Sequence, residues 1–185
     1  MDLAIPIQRF DPSKVIIGKS HDNPVRKIIT LEYKDNNVHL YNLVLVLDSL
    51  KVKEIDLLNN MLILQESKEA PNLSKLEELR KILNTQLDTN YKKWVDNSNL
   101  LKLVRAPIQN WVTPEGIVLY LSNKPELLTF YNSGTKSVIS TETIAPGDFI
   151  RAVIKIQGIS LQMTEDGNWT GKSRIQHHIL QLYKD

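Results

Sequence analysis

The chain has 185 residues, no cysteine, and a net charge of +2 with a sequence pI near 8.7. A chain of this length buries a real core without staples, and the lack of cysteine excludes disulfides, thiolate metal sites, thiol catalysis and iron–sulfur clusters. A charge balance this close to neutral permits nucleic-acid binding through a local patch but does not announce it.

The first residues, MDLAIPIQRF, lack the basic region and apolar run of a signal peptide, and no stretch approaches the ~20 apolar residues of a membrane span. The expectation is a soluble intracellular protein of one domain, residues 1–185, with no membrane partner. Lys14 to Gly18 reads as a short strand and HDNPVRK as a turn broken at Asn23-Pro24. Ile28 to Lys34, a turn at Asp35 to Asn37, and Val38 to Leu47 read as a hairpin. Its second strand becomes continuously apolar at LVLVL, which predicts burial on both faces. Residues 48–70 fit a short helix or a turn at Asn59-Asn60 followed by a strand from Met61 to Gln65; the strand is preferred.

A long helix follows. Ser74-Lys75-Leu76-Glu77 matches the capping box, in which the serine caps a backbone N–H and the glutamate reaches back. Leu76, Leu79, Leu83, Leu87, Tyr91 and Trp94 recur at spacings of three and four as one amphipathic stripe, which predicts a core face. The sequence DNSN, Asp96 to Asn99, ends it. Leu100 to Ile108 reads as a strand, Gln109 to Gly116 as a loop carrying Trp111, and Gly116 to Ser122 as a strand. Leu127 to Tyr131 and Ser137 to Ser140 read as another hairpin.

The last third reads as two long strands. Ile150, Ala152, Ile154 and Ile156 alternate with Arg151, Val153, Lys155 and Gln157, the signature of a half-buried strand. The phase slips at Gly158, after which Ile159, Leu161 and Met163 carry the apolar face. A glycine at a phase slip marks a β-bulge that bends the strand. Asp166-Gly167 supplies the turn and Ser173 to Tyr183 the return. Long, bent hairpins are how small sheets close into barrels. The fold class expected is α+β, with about eight strands and one long amphipathic helix, and barrel-like.

The chain has no phosphate loop, no Gly-x-Ser-x-Gly and no His-Glu-x-x-His. His177 and His178 are adjacent on a strand and point to opposite faces, so one semi-buried and one exposed histidine are expected rather than a metal pair. Carboxylates are scattered. The reading is a binding module with no cofactor and no metal, and not an enzyme. Candidate binding residues are Arg151, Lys155, Lys172 and Arg174 on the outer face of the last hairpin, with Trp169 at its tip. Arg105 near Trp111, and Tyr120 near Lys124, extend the set. Cations interleaved with rings are what a single strand needs along its phosphates and bases. Arg151 and Lys155, four residues apart on one strand, stand ~13 Å apart on one face, a spacing that can follow phosphates. On residue types alone, an ordinary solvated face explains the cations, and core packing explains Trp111 and Tyr120.

The order of segments resembles a viral family. FDPSKVIIGK, ITLEY and LYNLVLVL are followed by SKLEELRKIL and YKKW, then by LLKLVRAPI, GIVLYLS and LTFYNSG, and finally by PGDFIRAVIKIQGISL and SRIQHHILQLY. This succession is similar to the single-stranded-DNA-binding proteins of large nucleocytoplasmic DNA viruses, the poxvirus type and its relatives. The turn TEDGNWTGK is more polar than the family pattern, and the acidic tail of some members is not seen. The resemblance implies a decorated OB-like β-barrel that coats single-stranded DNA during viral replication and repair, in the host cytoplasm or nucleus. RNA as a partner and a homo-oligomer both stay open. The rival readings are a viral structural protein that self-assembles through its hairpin faces, and a nuclease using scattered carboxylates with a divalent ion.

Overall fold

The structure, a computed structural model, describes residues 3–23, 26–56, 58–66, 70–95, 105–113, 116–121, 130–132, 138–139 and 144–184. Strands β1 (Ala4–Pro6), β2 (Val15–Asn23), β3 (Arg26–Asp35), β4 (Val38–Leu40), β5 (Leu43–Asp56) and β6 (Met61–Glu66) precede the helix α1 (Asn72–Asn90). After it come β7 (Val112–Thr113), β8 (Gly116–Tyr120), β9 (Phe130–Asn132), β10 (Val138–Ile139), β11 (Phe149–Met163) and β12 (Trp169–Lys184). The α+β class holds. The described strands number twelve, against about eight expected. The extra ones are mostly segments of two or three residues, too short to show any period.

All twelve strands join one sheet, whose path runs β10-β9-β12-β11-β5-β6-β8-β7. It is mostly antiparallel, with β1 parallel to β5 and β9 parallel to β12. Among the described residues this path is open, with β10 at one end and β7 at the other. The hub is β11. One edge pairs with β12 along nearly its whole length. The other edge pairs first with β5, from Phe149 to Ile156, and then with β3, from Gly158 to Gln162. The change of partner falls at Gly158, where the phase slip predicted a bulge, and the register with β12 shifts there. Its φ is +152°, and a Cβ at this position would stand 2.0 Å from the Ile29 carbonyl oxygen. Only glycine lets β3 close on β11 here.

The core lies on the inner face of this sheet. Ile150, Ala152, Ile154 and Ile156 are buried, as are Ile159 and Leu161 beyond the slip. They join Leu43, Leu45 and Leu47 of β5 and Leu76, Leu79, Leu83 and Leu87 of α1 in one cluster. Each of these leucines and isoleucines contributes ~1.5–3 kcal/mol on burial. The stripe of α1 therefore faces the core as its spacing predicts, with Tyr91 and Trp94 partly buried at its margin. The expected terminator, Asp96 to Asn99, lies outside the described residues; α1 itself ends at Asn90 in a 3₁₀ turn, Tyr91–Lys93.

The capping box does not form. The helix starts three residues earlier, at Asn72 after the N-cap Pro71, and Ser74 sits inside it with its hydroxyl donating to the Pro71 carbonyl at 3.0 Å. The carboxylate of Glu66, at the end of β6, accepts from the backbone N–H groups of Asn72 and Leu73 and takes the capping role. Glu77 is then free to clasp Arg80, at 2.6 and 2.8 Å. Residues 105–108 are not a strand of the sheet, against expectation; the earlier part of that predicted strand lies outside the described residues. Ala106 N–H donates to Gly171 O at 3.0 Å and Gln109 N–H to Ser173 O at 2.8 Å, laying the segment against β12. On its other side, Asn84 of α1 accepts from Ile108 N–H at 3.0 Å, and Arg80 donates to Ile108 O at 3.1 Å. The helix thus fixes a length of backbone beside the start of β12.

Candidate nucleic-acid interface

Strand parity sorts the predicted site residues. Along β12, Trp169, Gly171, Ser173, Ile175 and His177 are buried, while Lys172 is exposed and Arg174 and Gln176 are half-buried. Lys172 and Arg174 therefore share the outer face. Register extends that face across three strands. Ser160 of β11 stands opposite Arg174 on one side and Ile28 of β3 on the other. Gln162 stands opposite Arg26. The outer face here carries Arg26, Gln162, Ser160, Lys172 and Arg174.

These residues line a cleft of about 650 Å³. Its remaining wall is Ala106, Pro107 and Gln109, the backbone that α1 holds against β12, together with Met163 and Ser173. Three cations converge on it, and none of its described lining residues is acidic. Arg26 reaches the Gln176 side-chain oxygen at a long 3.5 Å, a neutral partner that leaves its charge in place. Burial holds the Arg174 guanidinium below its usual range, and the nearby Arg26 charge adds to the effect. The Arg174 guanidinium stands 6.0 Å from the centre of the Tyr120 ring, which is more than a third exposed. A cleft of this size, charge and edge chemistry suits an anionic ligand with an aromatic part.

The other predicted residues are elsewhere. Trp169 is 1% exposed. It is the first residue of β12, not the hairpin tip; its ring packs 5.9 Å from Tyr91 and its N–H donates to Lys172 O at 2.9 Å. The tip is instead the turn Thr164–Asn168, closed by Gly167 N–H on Thr164 O at 3.0 Å. Trp111 is 5% exposed and packs 5.2 Å from the His177 ring. Both indoles are core, and neither can stack on a base. Arg105 is committed to α1: it pairs with Asp88 and donates to Asn84 at 3.2 Å. Arg151 and Lys155 lie on the first half of β11, beyond Gly158 from the cleft. Arg151 is neutralised by Asp48 across the ladder at 3.2 Å, so the two do not form a bare phosphate track. Lys155 is half-buried opposite His178. Lys124 lies outside the described residues.

His177 and His178 separate as strand parity requires, one buried and one exposed. His177 Nε2 accepts the Tyr120 N–H at 3.0 Å, which places the proton of the neutral ring on Nδ1. Burial pushes this imidazole down to about 4, against the backbone of Ile175, which favours the charged form. Among the described residues no three of His, Cys, Asp and Glu come together as metal ligands, and no helix is long and apolar enough to cross a membrane.

Arg26 is the site residue that sequence reading misses. It falls within the predicted turn HDNPVRK, and nothing local distinguishes it from a solvated arginine. Its place in the cleft comes from β3 pairing with the far half of β11. The signal that does exist is the glycine at the phase slip, which marks where a second partner strand arrives. No protein-family model, no curated protein and no solved structure matches this chain.

Proposed function

We propose that this protein binds single-stranded nucleic acid, with the cleft of Arg26, Lys172 and Arg174 as its contact. The observation that carries the reading is the convergence of three cations on one cleft that no described carboxylate lines, in a chain of net charge +2. Phosphates are the ligand that recovers the cost of gathering those charges, and Arg forks match phosphate oxygens. Tyr120 supplies the ring at the margin, in the place first expected of Trp169 and Trp111; stacking contributes ~1–3 kcal/mol per base.

The finer fold belongs to the same proposal. We infer that the sheet curls along β12-β11-β5-β6-β8, a reading supported by the bond from the Tyr120 N–H of β8 to His177 of β12 at 3.0 Å, with the 105–109 segment bridging to β12 beside it between Gln109 and Arg174. Five strands returning on themselves are the plan of a partly open oligonucleotide-binding barrel. The viral replication and repair role rests on segment order; the binding reading stands on the cleft. The second reading, self-assembly through the hairpin faces, has exposed Phe149 and Leu180 of β11 and β12 in its favour.

A gel shift with single-stranded DNA, duplex DNA and RNA, with and without magnesium, tests the proposal. Retarded single strands that stay intact in magnesium support it. Cleavage in magnesium points to the nuclease, and no shift at low salt, with a dimer in light scattering, points to self-assembly.

A further inference from the structure

Resting on the strand-binding reading, we propose that the cleft takes the end of a strand: its preferred ligand is the terminal phosphate monoester of a single-stranded nucleic acid. A groove that coats strands strings its cations along a path of several nucleotides. Here the charge is concentrated. Arg26, Lys172 and Arg174 crowd one cleft of about 650 Å³, while Arg151, which would extend a path along β11, is already paired with Asp48. That volume suits one small ligand rather than a run of nucleotides.

Charge matching selects the ligand within phosphate chemistry. An internal phosphodiester carries one negative charge, whereas a phosphate monoester carries about −1.5 to −2 at neutral pH and three free acceptor oxygens. Two guanidinium forks and one ammonium supply more donors than a diester accepts, and a monoester uses them better. Arg174 is partly desolvated, and Arg26 lies near enough to disfavour its charge. A dianion relieves both.

The test is a competition measured by fluorescence anisotropy. Oligothymidylates of one length carry a 5′-phosphate, a 3′-phosphate or hydroxyls at both ends, and inorganic phosphate and thymidine monophosphate serve as separate competitors. We expect a phosphorylated end to bind at least about tenfold tighter than the hydroxyl-ended strand, the effect of one added charge-assisted hydrogen bond. Arg174→Gln and Arg26→Gln should abolish that preference, and Lys81→Gln, on the solvent face of α1, should keep it. Thermal melts confirm that each variant folds. Equal affinity for all three strands overturns the inference and leaves strand binding intact. Binding of thymidine monophosphate or inorganic phosphate with no strand binding overturns both readings in favour of a small-anion site. No binding of any ligand overturns both outright.

Discussion

Trp169 and Arg174 are five residues apart on one strand, and parity alone decides their opposite fates. Both types suit a nucleic-acid face. Starting β12 at Ser173 left Trp169 in a free turn; the strand starts at Trp169 itself, which gives it the same parity as Ser173 and Ile175 and sends the ring inward. A strand start two to four residues early is invisible when threonine and glycine follow, because neither declares a face. Trp169→Ala should cost ~3–5 kcal/mol in denaturant unfolding, as for a fully buried indole, with no change in salt dependence of binding once folded. A cost below about 0.5 kcal/mol would return the ring to the surface. His177 carries a pH prediction. Its usual value of 6.5 falls to about 4 in the fold. Above 6.5 both states are neutral and stability is flat. Between 6.5 and 4 the unfolded chain takes up a proton that the folded chain refuses, so stability falls as pH falls, by about 3 kcal/mol in all. His177→Gln should flatten the curve in that window relative to wild type, and an unchanged slope counts against the burial argument.

At the scale of elements, the local patterns were legible and the partners were not. Period-two alternation announced β11, and the three-and-four stripe announced α1. The start of α1 was misplaced because its cap, Glu66, comes from a different element, and no local motif encodes that. Leu83, the middle of the stripe, is fully buried. Leu83→Ala should lower the unfolding free energy by ~2–5 kcal/mol in urea titrations. Gly158 tests the hub. A Cβ there meets the Ile29 carbonyl at 2.0 Å, so Gly158→Ala must push β3 away from β11. The expected loss is about 3 kcal/mol or more, from strain and lost ladder bonds together. Hydrogen exchange should show the loss concentrated in β3, residues 26–30, and uniform exchange across the sheet would contradict this hinge role. Because Arg26 opens β3, the variant should also weaken oligonucleotide binding.

For the whole molecule, a net charge of +2 conceals a local surplus. Arg26 belongs to the first hairpin and Lys172 and Arg174 to the last, and β11 brings them together by pairing with both β3 and β12. Sequence reading therefore includes two of the three cations that line the cleft, but it could not supply the third, because strand adjacency across the chain is set by packing and not by local pattern. Nor could it exclude Arg151 and Arg105, whose partners Asp48 and Asp88 lie on other elements. α1 holds the 105–109 segment against β12 as one wall of the cleft, so binding there should need little reordering of that side.

The salt dependence of single-strand affinity tests the central claim most directly. A labelled oligothymidylate is titrated with wild type, with Arg26→Gln/Lys172→Gln/Arg174→Gln, and with Arg151→Gln/Lys155→Gln, across a range of salt concentrations. Each phosphate neutralised adds about −0.7 to the slope of log affinity against log salt for single strands. The cleft variant should bind more weakly and show a shallower slope, with the β11 variant close to wild type. Unchanged affinity and slope in the cleft variant, with the loss appearing in Arg151→Gln/Lys155→Gln instead, would contradict the assignment of the interface.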